Sequence, residues 1–449
     1  MRFPSVEGRV ILFTVLLLSA ALGAAAQETT TGSITGKVLD PQGLPTPGVT
    51  VTVTSTQGTK TAITDGEGVF YVPFLTPGAY SVRAELQGFK AVEQASVTVQ
   101  LGRRTEMTLK LEAGGISETV TVTSAATVVD TSSTTAGAVI SDELLRSVPV
   151  GRRLTDALYL APGVSSGGEV GKANPSIAGG SGLENQYIVD GVNITNSGYG
   201  AIGSYSIIFG SLGSGVTFDF VKEIQVKTGG YEAEYGSATG GVVNVLTKSG
   251  TNDITGSAFT YFRPDALEGD YTNLDLENGT QIAAQRTATR VNDVGFEAGG
   301  PIVQNKAFWF AAFNPQWERE KFTALPIFPL YSLGEVDRDR RTVTYSVKGT
   351  YQLAPNHRID GSFFGDPAKG DNGPQRTAAF RREDTAGFSA IEYGGHNQTV
   401  KYDGIMSPNW LIEASYARAQ NRIEEIPSTD EWAVSDRTVV RTACPEFSS

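Results

Sequence analysis

The chain has 449 residues, with 36 Lys and Arg against 48 Asp and Glu, a formal charge of −12. That balance argues against nucleic-acid binding, which needs a basic surface to displace counterions, and 52 Gly disfavour a helical protein, since Gly inside a helix costs about 1 kcal/mol relative to Ala. A single Cys, Cys444, excludes an intrachain disulfide and a thiolate metal cluster. His357 and His396, the two histidines, lack zinc-enzyme spacing, so neither a catalytic residue, a resident metal nor a cofactor is expected.

Residues 1–26 read as a cleavable export signal. Arg2 and Arg9 are basic, residues 10–22 are apolar, and Ala24-Ala25-Ala26 precede Gln27. The apolar run is shorter than the ~20 residues of a membrane helix. No later stretch is apolar enough for such a helix, so residence in a membrane would require a closed β-barrel.

Residues 27–113 alternate strand formers with turn signals. Val49, Val51 and Val53 alternate with Thr50, Thr52 and Thr54, as in a half-buried strand. Asp40-Pro41-Gln42-Gly43, Asp65-Gly66-Glu67-Gly68 and Pro77-Gly78 mark turns. A small β-sandwich follows, with Val38, Val49, Val51, Val53, Phe70, Val72, Tyr80, Val82 and Phe89 on its core face. The run Gly36-x-Val38-x-Asp40-x-x-Gly43, then Thr64-Asp65-x-x-Gly68-x-Phe70, then Pro77-Gly78-x-Tyr80-x-Val82 resembles the carboxypeptidase regulatory-like domain. The resemblance implies a non-catalytic accessory with a carbohydrate-binding-like fold.

Residues 114–140 turn to Ser, Thr, Ala and Val and read as an extended linker. Inside it lie Glu118, Thr119, Val120, Thr121 and Val122. By pattern alone this is either a short edge strand or a strand lent to a partner by β-augmentation.

Residues 141–252 read as α/β. Ser141-Asp142-Glu143 starts one short helix, and residues 154–160 form a second, stopped by Pro162-Gly163. Asp190-Gly191 between Gln186-Tyr187-Ile188-Val189 and Val192-Asn193-Ile194 signals a hairpin whose type I′ turn needs positive φ at both centres. Asp190 is accordingly read as a turn former. Strands are expected over 220–226 and 240–247.

Val189-Asp190-Gly191-Val192, Ile224-Gln225-Val226, Tyr235-Gly236 and Gly240-Gly241-Val242-Val243-Asn244-Val245 resemble the plug domain of TonB-dependent outer-membrane receptors. With the regulatory-like domain in front, the chain resembles the Oar-like branch. One departure stands out. Many plugs carry Ile-Arg-Gly ahead of the Asp-Gly turn, whereas this chain has Ile177-Ala178-Gly179-Gly180, so other contacts must hold the plug. The Gly runs at 167–168 and 179–182 either make the plug pliable or are ordinary loops.

Residues 253–449 show longer dyad alternation. Val343, Tyr345, Val347, Gly349, Tyr351 and Leu353 interleave with Thr344, Ser346, Lys348, Thr350 and Gln352. Val400-Tyr402-Gly404-Met406 and Trp410-Ile412-Ala414-Tyr416 repeat the pattern. Phe308, Trp309, Phe310, Phe313 and Trp317 are read as aromatic strand ends. Transmembrane barrel strands of ~9–11 residues look like this. The expected class is therefore mainly β: an N-terminal β-sandwich, a small α/β plug, then the first part of a transmembrane antiparallel β-barrel. Seven or eight strands are expected, against about 22 in large plugged transporters, which predicts a C-terminally truncated piece.

The resemblance implies a receptor that moves a ligand across the outer membrane by energised plug rearrangement. Residues 118–122 would be the TonB box. The partners would be the periplasmic domain of TonB, an unidentified extracellular ligand and outer-membrane lipid, with the N-terminal domain in the periplasm. The alternative is a surface adhesion or structural protein with a carbohydrate-binding N-terminal module.

Overall fold

The computed structural model describes residues 30–114, 119–122, 135–166, 174–206, 210–231, 235–236, 238–269, 274–275, 281–282, 286–323, 334–371, 389–407, 410–426, 432–433 and 446–447. The export signal, Glu118, Gly167-Gly168 and Cys444 lie outside them.

Two sheets face each other at the N-terminal end. They are built from β1 (Gly32–Leu39), β2 (Thr50–Ser55), β3 (Gly58–Ile63), β4 (Val69–Leu75), β5 (Gly78–Glu85), β6 (Ala91–Val99), β7 (Arg104–Lys110) and β8 (Thr119–Val122). One sheet has the order β4-β1-β7, the other β3-β2-β5-β6-β8. Val38, Val49, Val51, Val53, Phe70, Val72, Tyr80 and Val82 fill the space between them, with Phe89 partly buried beside them. The turn at Asp65 shows why the pattern specifies this fold. Its Oδ1 accepts from the Glu67 and Val69 amides, and Gly68 takes φ 72°. A Cβ at Gly68 would also sit 2.7 Å from the Thr46 nitrogen, so any other residue meets both strain and a clash.

The next unit is a five-stranded sheet with the order β11-β10-β13-β12-β9. Its members are β9 (Ala136–Ser141), β10 (Gln186–Val189), β11 (Val192–Asn193), β12 (Val221–Gly229) and β13 (Val242–Thr247). Helices α1 (Asp142–Ser147) and α2 (Leu154–Leu158) pack on it, and Ser141 caps α1 by accepting from the Leu144 amide. Residues 136–140, which composition assigns to the linker, form the edge strand β9 antiparallel to β12. Gly137 permits a close approach of the two backbones. A Cβ at Gly137 would meet the Val226 carbonyl oxygen at 2.0 Å.

Among the described residues from Thr255 onward, the eight strands of one sheet form an antiparallel meander: β14 (Thr255–Arg263), β15 (Arg286–Val303), β16 (Ala307–Thr323), β17 (Glu335–Ala354), β18 (His357–Gly365), β19 (Ala368–Asp371), β20 (Ala390–Ser407) and β21 (Trp410–Ile426). β18 and β19 both lie between β17 and β20, so they are one pass broken at Asp366-Pro367. The polarity is inside out. On β17, Thr344, Ser346, Lys348 and Thr350 are buried, while Val347, Tyr351 and Leu353 are exposed. The outward row is what lipid requires, and the inward row faces a polar filling. Passes of 17 to 20 residues exceed the ~9–11 that span a bilayer. The excess carries outward ion pairs, Arg319 with Asp339 and Lys321 with Glu335. Trp317, with the Arg341 guanidinium 5.8 Å from its ring centre, sits just below them.

The aromatic ends need correction. Phe308 and Phe310 point inward, and Phe310 packs with Phe220 of the plug. In the register of β16 the even-numbered residues face inside, so of the five aromatics Trp309, Phe313 and Trp317 face outward. His357 opens β18 directly after Pro355-Asn356, and its Nδ1 is 2.6 Å from the Tyr402 hydroxyl.

The strand ends joined by short connections, Val303 to Ala307, Ala354 to His357 and Ser407 to Trp410, gather at one end of the sheet, and the longer connections leave from Arg263, Thr323 and Asp371 at the other. In outer-membrane barrels the short turns face the periplasm. The N-terminal sandwich sits at this end, where Gly58 lies against Asn305.

Candidate functional site

The hairpin turn was legible in the sequence. Asp190 and Gly191 adopt φ 48° and 81°, as the type I′ turn demands. The role of Asp190 goes beyond turn forming, which corrects the sequence reading. Its Oδ1 accepts from the Thr247 amide at 2.9 Å and its Oδ2 from the Thr247 hydroxyl at 2.5 Å. Lys348, on the inner wall, reaches across and donates to Asp190 Oδ1 at 2.9 Å and to the Thr247 carbonyl at 3.2 Å. Both charges are buried, with 3% and 7% of the side chain exposed. Such a pair holds only because nearly every lone pair and proton is satisfied.

The other motif residues support this hairpin. Tyr235 is buried with Ile188, Ala238 and Val242, and the Lys227 ammonium lies 4.3 Å from its ring centre. Gly236 is an exposed turn residue beside it. Gly240 and Gly241 permit close packing. A Cβ at Gly240 would lie 2.4 Å from Asn185 Oδ1, and one at Gly241 would lie 2.3 Å from Ile177 Cγ2. Of the second Gly run, Gly180 would clash with the Gly240 Cα at 2.7 Å if it carried a Cβ, so this loop is tightly packed.

The further contacts that fasten the plug to the wall come from residues the sequence reading passed over. Arg152, between α1 and α2, donates to Asp293 on β15 at 3.0 Å and reaches Asp219 at 2.5 Å. Its guanidinium stacks 3.7 Å from the Tyr261 ring centre. Asn314 and Gln316 also donate to Asp293. Lys248 bonds Glu297 at 2.6 Å, and Asp366, at the break between β18 and β19, accepts from the Gly215 and Gly395 amides. In the sequence the signal was slight: inward-phase acids on β15 and an Arg152-Arg153 pair. Towards the long connections, plug and wall enclose a crevice of about 270 Å³. Arg152, Arg338, Arg340, Glu318 and Thr342 help to line it.

The N-terminal domain seats on both other units. Glu223 of β12 accepts from the Leu101 amide at 2.5 Å, and Gln225 donates to the Leu101 carbonyl at 3.0 Å. Gln57 donates to the Gly250 carbonyl, and Arg358 of the wall donates to the Thr76 hydroxyl, both at 2.8 Å. Burial pushes Glu223 up to about 7, although the Leu101 N–H favours its carboxylate. Burial, helped by the nearby Arg358 guanidinium, pushes Lys60 down to about 7. Thr119 to Val122 do not stand free. They form β8, parallel to β6, with Val92 opposite Val120 and Glu93 opposite Thr121.

Residues 33–112 match the carboxypeptidase regulatory-like domain, residues 129–243 the TonB-dependent receptor plug domain and residues 246–330 an outer membrane beta barrel domain. The TonB-dependent transporter Oar of Myxococcus xanthus is 31% identical over 397 residues, 80% of this chain and 36% of that protein. The chain belongs to the TonB-dependent receptors. Its family consists of transporters, not enzymes, and its barrel and plug place the receptor in the outer membrane. The probable TonB-dependent siderophore receptor PirA of Acinetobacter baumannii is 32% identical over 179 residues, 37% of this chain and 21% of that protein. Among solved structures, the outer membrane transporter YddB from Escherichia coli aligns with a TM-score of 0.46 and 14% identity, over 63% of this chain and 38% of that one. The receptor chain thus spans about a third of the length of its curated relative Oar.

Proposed function

We propose that the chain works as the plug-bearing part of a TonB-dependent transporter. A ligand binds on the long-loop side, and energy delivered to residues 118–122 from the periplasm rearranges the plug. The observation that carries this reading is the buried Asp190–Lys348 pair. It seats a plug hairpin against the inner wall of a strand array whose outer row suits lipid. The N-terminal domain sits at the short-turn end and would be periplasmic, reached by export through residues 1–26. The ligand enters by the crevice between plug and wall.

The test uses a peptide covering residues 114–125 and the purified periplasmic domain of TonB. The peptide is expected to capture that domain. A Val120→Pro peptide is expected to lose it, because Pro removes a ladder donor. Equal capture by both peptides overturns the TonB-box assignment.

A further inference from the structure

The four residues of β8 end the sheet β3-β2-β5-β6-β8. One edge of β8 pairs with β6, and among the described residues no strand pairs with its other edge. A strand in that position is already extended. It presents alternate N–H and C=O groups outward, which is a template for a further strand. The domain that bears it is itself fixed. Leu101, Gln57 and Thr76 bond to plug and wall at the short-turn end of the receptor. The open edge is therefore held at the face from which the plug would be worked. Thirteen residues separate Val122 from Ala136, where the plug sheet begins. Fully extended, that tether reaches roughly 45 Å at about 3.4 Å per residue, so β8 can stay on β6 while the plug sits in the wall.

We propose that the regulatory-like domain is a presenting platform: β6 holds residues 119–122 extended so that their outer edge takes up a strand of TonB's periplasmic domain, which extends the N-terminal sheet. This rests on the reading of residues 118–122 as the TonB-recognised segment. The physical gain is preorganisation. A free linker must be ordered when it binds, whereas β8 is ordered beforehand and loses less entropy. The competing arrangement is concealment, in which TonB must first strip β8 from β6. The two demand opposite behaviour of the β6–β8 pair, since presentation keeps it and concealment breaks it.

The deciding experiment locks that pair. Glu93→Cys and Thr121→Cys, at register partners on β6 and β8, are introduced into the full chain together with Cys444→Ser. Binding of the periplasmic domain of TonB is measured with the new disulfide oxidised and reduced. Presentation predicts that the oxidised form binds as tightly as the reduced one or up to about tenfold tighter. A tenfold or greater loss on oxidation overturns the proposal in favour of concealment. Amide exchange in the parent chain gives a second reading that needs no substitution. Alternate amides within residues 119–122 should be protected before TonB is added, and the intervening ones should gain protection when it binds. Loss of the first set on TonB binding, or no protection beforehand, overturns presentation. If neither the reduced chain nor the free peptide 114–125 binds TonB, while the first set of amides is protected, then the TonB-box reading has failed, and the proposal with it. The β6–β8 pair itself would still stand.

Discussion

The plug and the N-terminal domain are both held against the same inner wall, and by different means. The plug is fixed by charge pairs closed with hydrogen bonds, the buried Asp190 with Lys348 and the partly buried Arg152 with Asp219 and Asp293. The N-terminal domain is held by separate hydrogen bonds, Glu223 and Gln225 to Leu101, Gln57 to Gly250 and Arg358 to Thr76, with Glu223 and the partly buried Lys60 both shifted to about 7. A buried pair is costly to break from one side because the remaining charge is stranded. Separate hydrogen bonds contribute less, about 0.5–1.5 kcal/mol each and more where one partner is charged, as at Arg358. The comparison teaches that the plug's hold on the wall is concentrated in a few coupled charges, whereas that of the N-terminal domain is spread over separate bonds.

The sharpest way to break the comparison is Lys348→Met, which strands Asp190. It should destabilise the plug by about 3–5 kcal/mol in denaturant unfolding. Adding Asp190→Asn should restore most of that loss, because Asn tolerates the left-handed conformation and no charge remains. If the double variant is as unstable as the single one, the pair is not what fastens the hairpin.

Arg152→Ala should cost about 2–3 kcal/mol, since Asp219 and Asp293 then face each other without their shared cation. Arg152→Lys should recover only part of it, keeping the charge but losing the fork and the stack on Tyr261. Gly180→Ala should cost about 1–3 kcal/mol through the clash with Gly240, read as a lowered unfolding midpoint.

The N-terminal seat should respond to pH. Glu223 has its pKa raised to about 7, so its seated form holds the extra proton. Its contribution is complete below the ordinary carboxylate range and is lost as pH rises to about 7. Lys60 has its pKa lowered to about 7, so its seated form gives up a proton and the seat strengthens as pH rises above 7 towards the ordinary lysine value. Attachment should therefore be weakest near pH 7 and firmer on both sides, measured by protease release of the domain. Glu223→Gln should flatten the acid limb alone. A monotonic profile would remove one of the two groups from the account. At the small end, Arg319→Gln should leave stability unchanged within error, because its pairs with Asp339 and Asp337 are on the exposed rim.

Much of this architecture follows from local rules. Dyad alternation in residues 343–353 marks a strand with one face for lipid, because side chains on a pleat alternate without regard to their neighbours. Asp190-Gly191 marks its turn, because two positive φ values admit few residues. The Asp65-to-Gly68 turn carries its own hydrogen bonds. Tertiary structure decided the rest. Lys348 and Asp190 lie 158 residues apart, and no local pattern pairs them. Phe308 and Phe310 turned inward because register, not composition, assigns faces. Residues 136–140 look like linker until β12 supplies the partner that makes them a strand. The same holds for Thr119 to Val122: alternating Thr and Val allow a strand, but only the edge of β6 decides where it lies. Local sterics are written in neighbouring residues, whereas a buried charge or an open strand is completed by whatever the fold brings beside it.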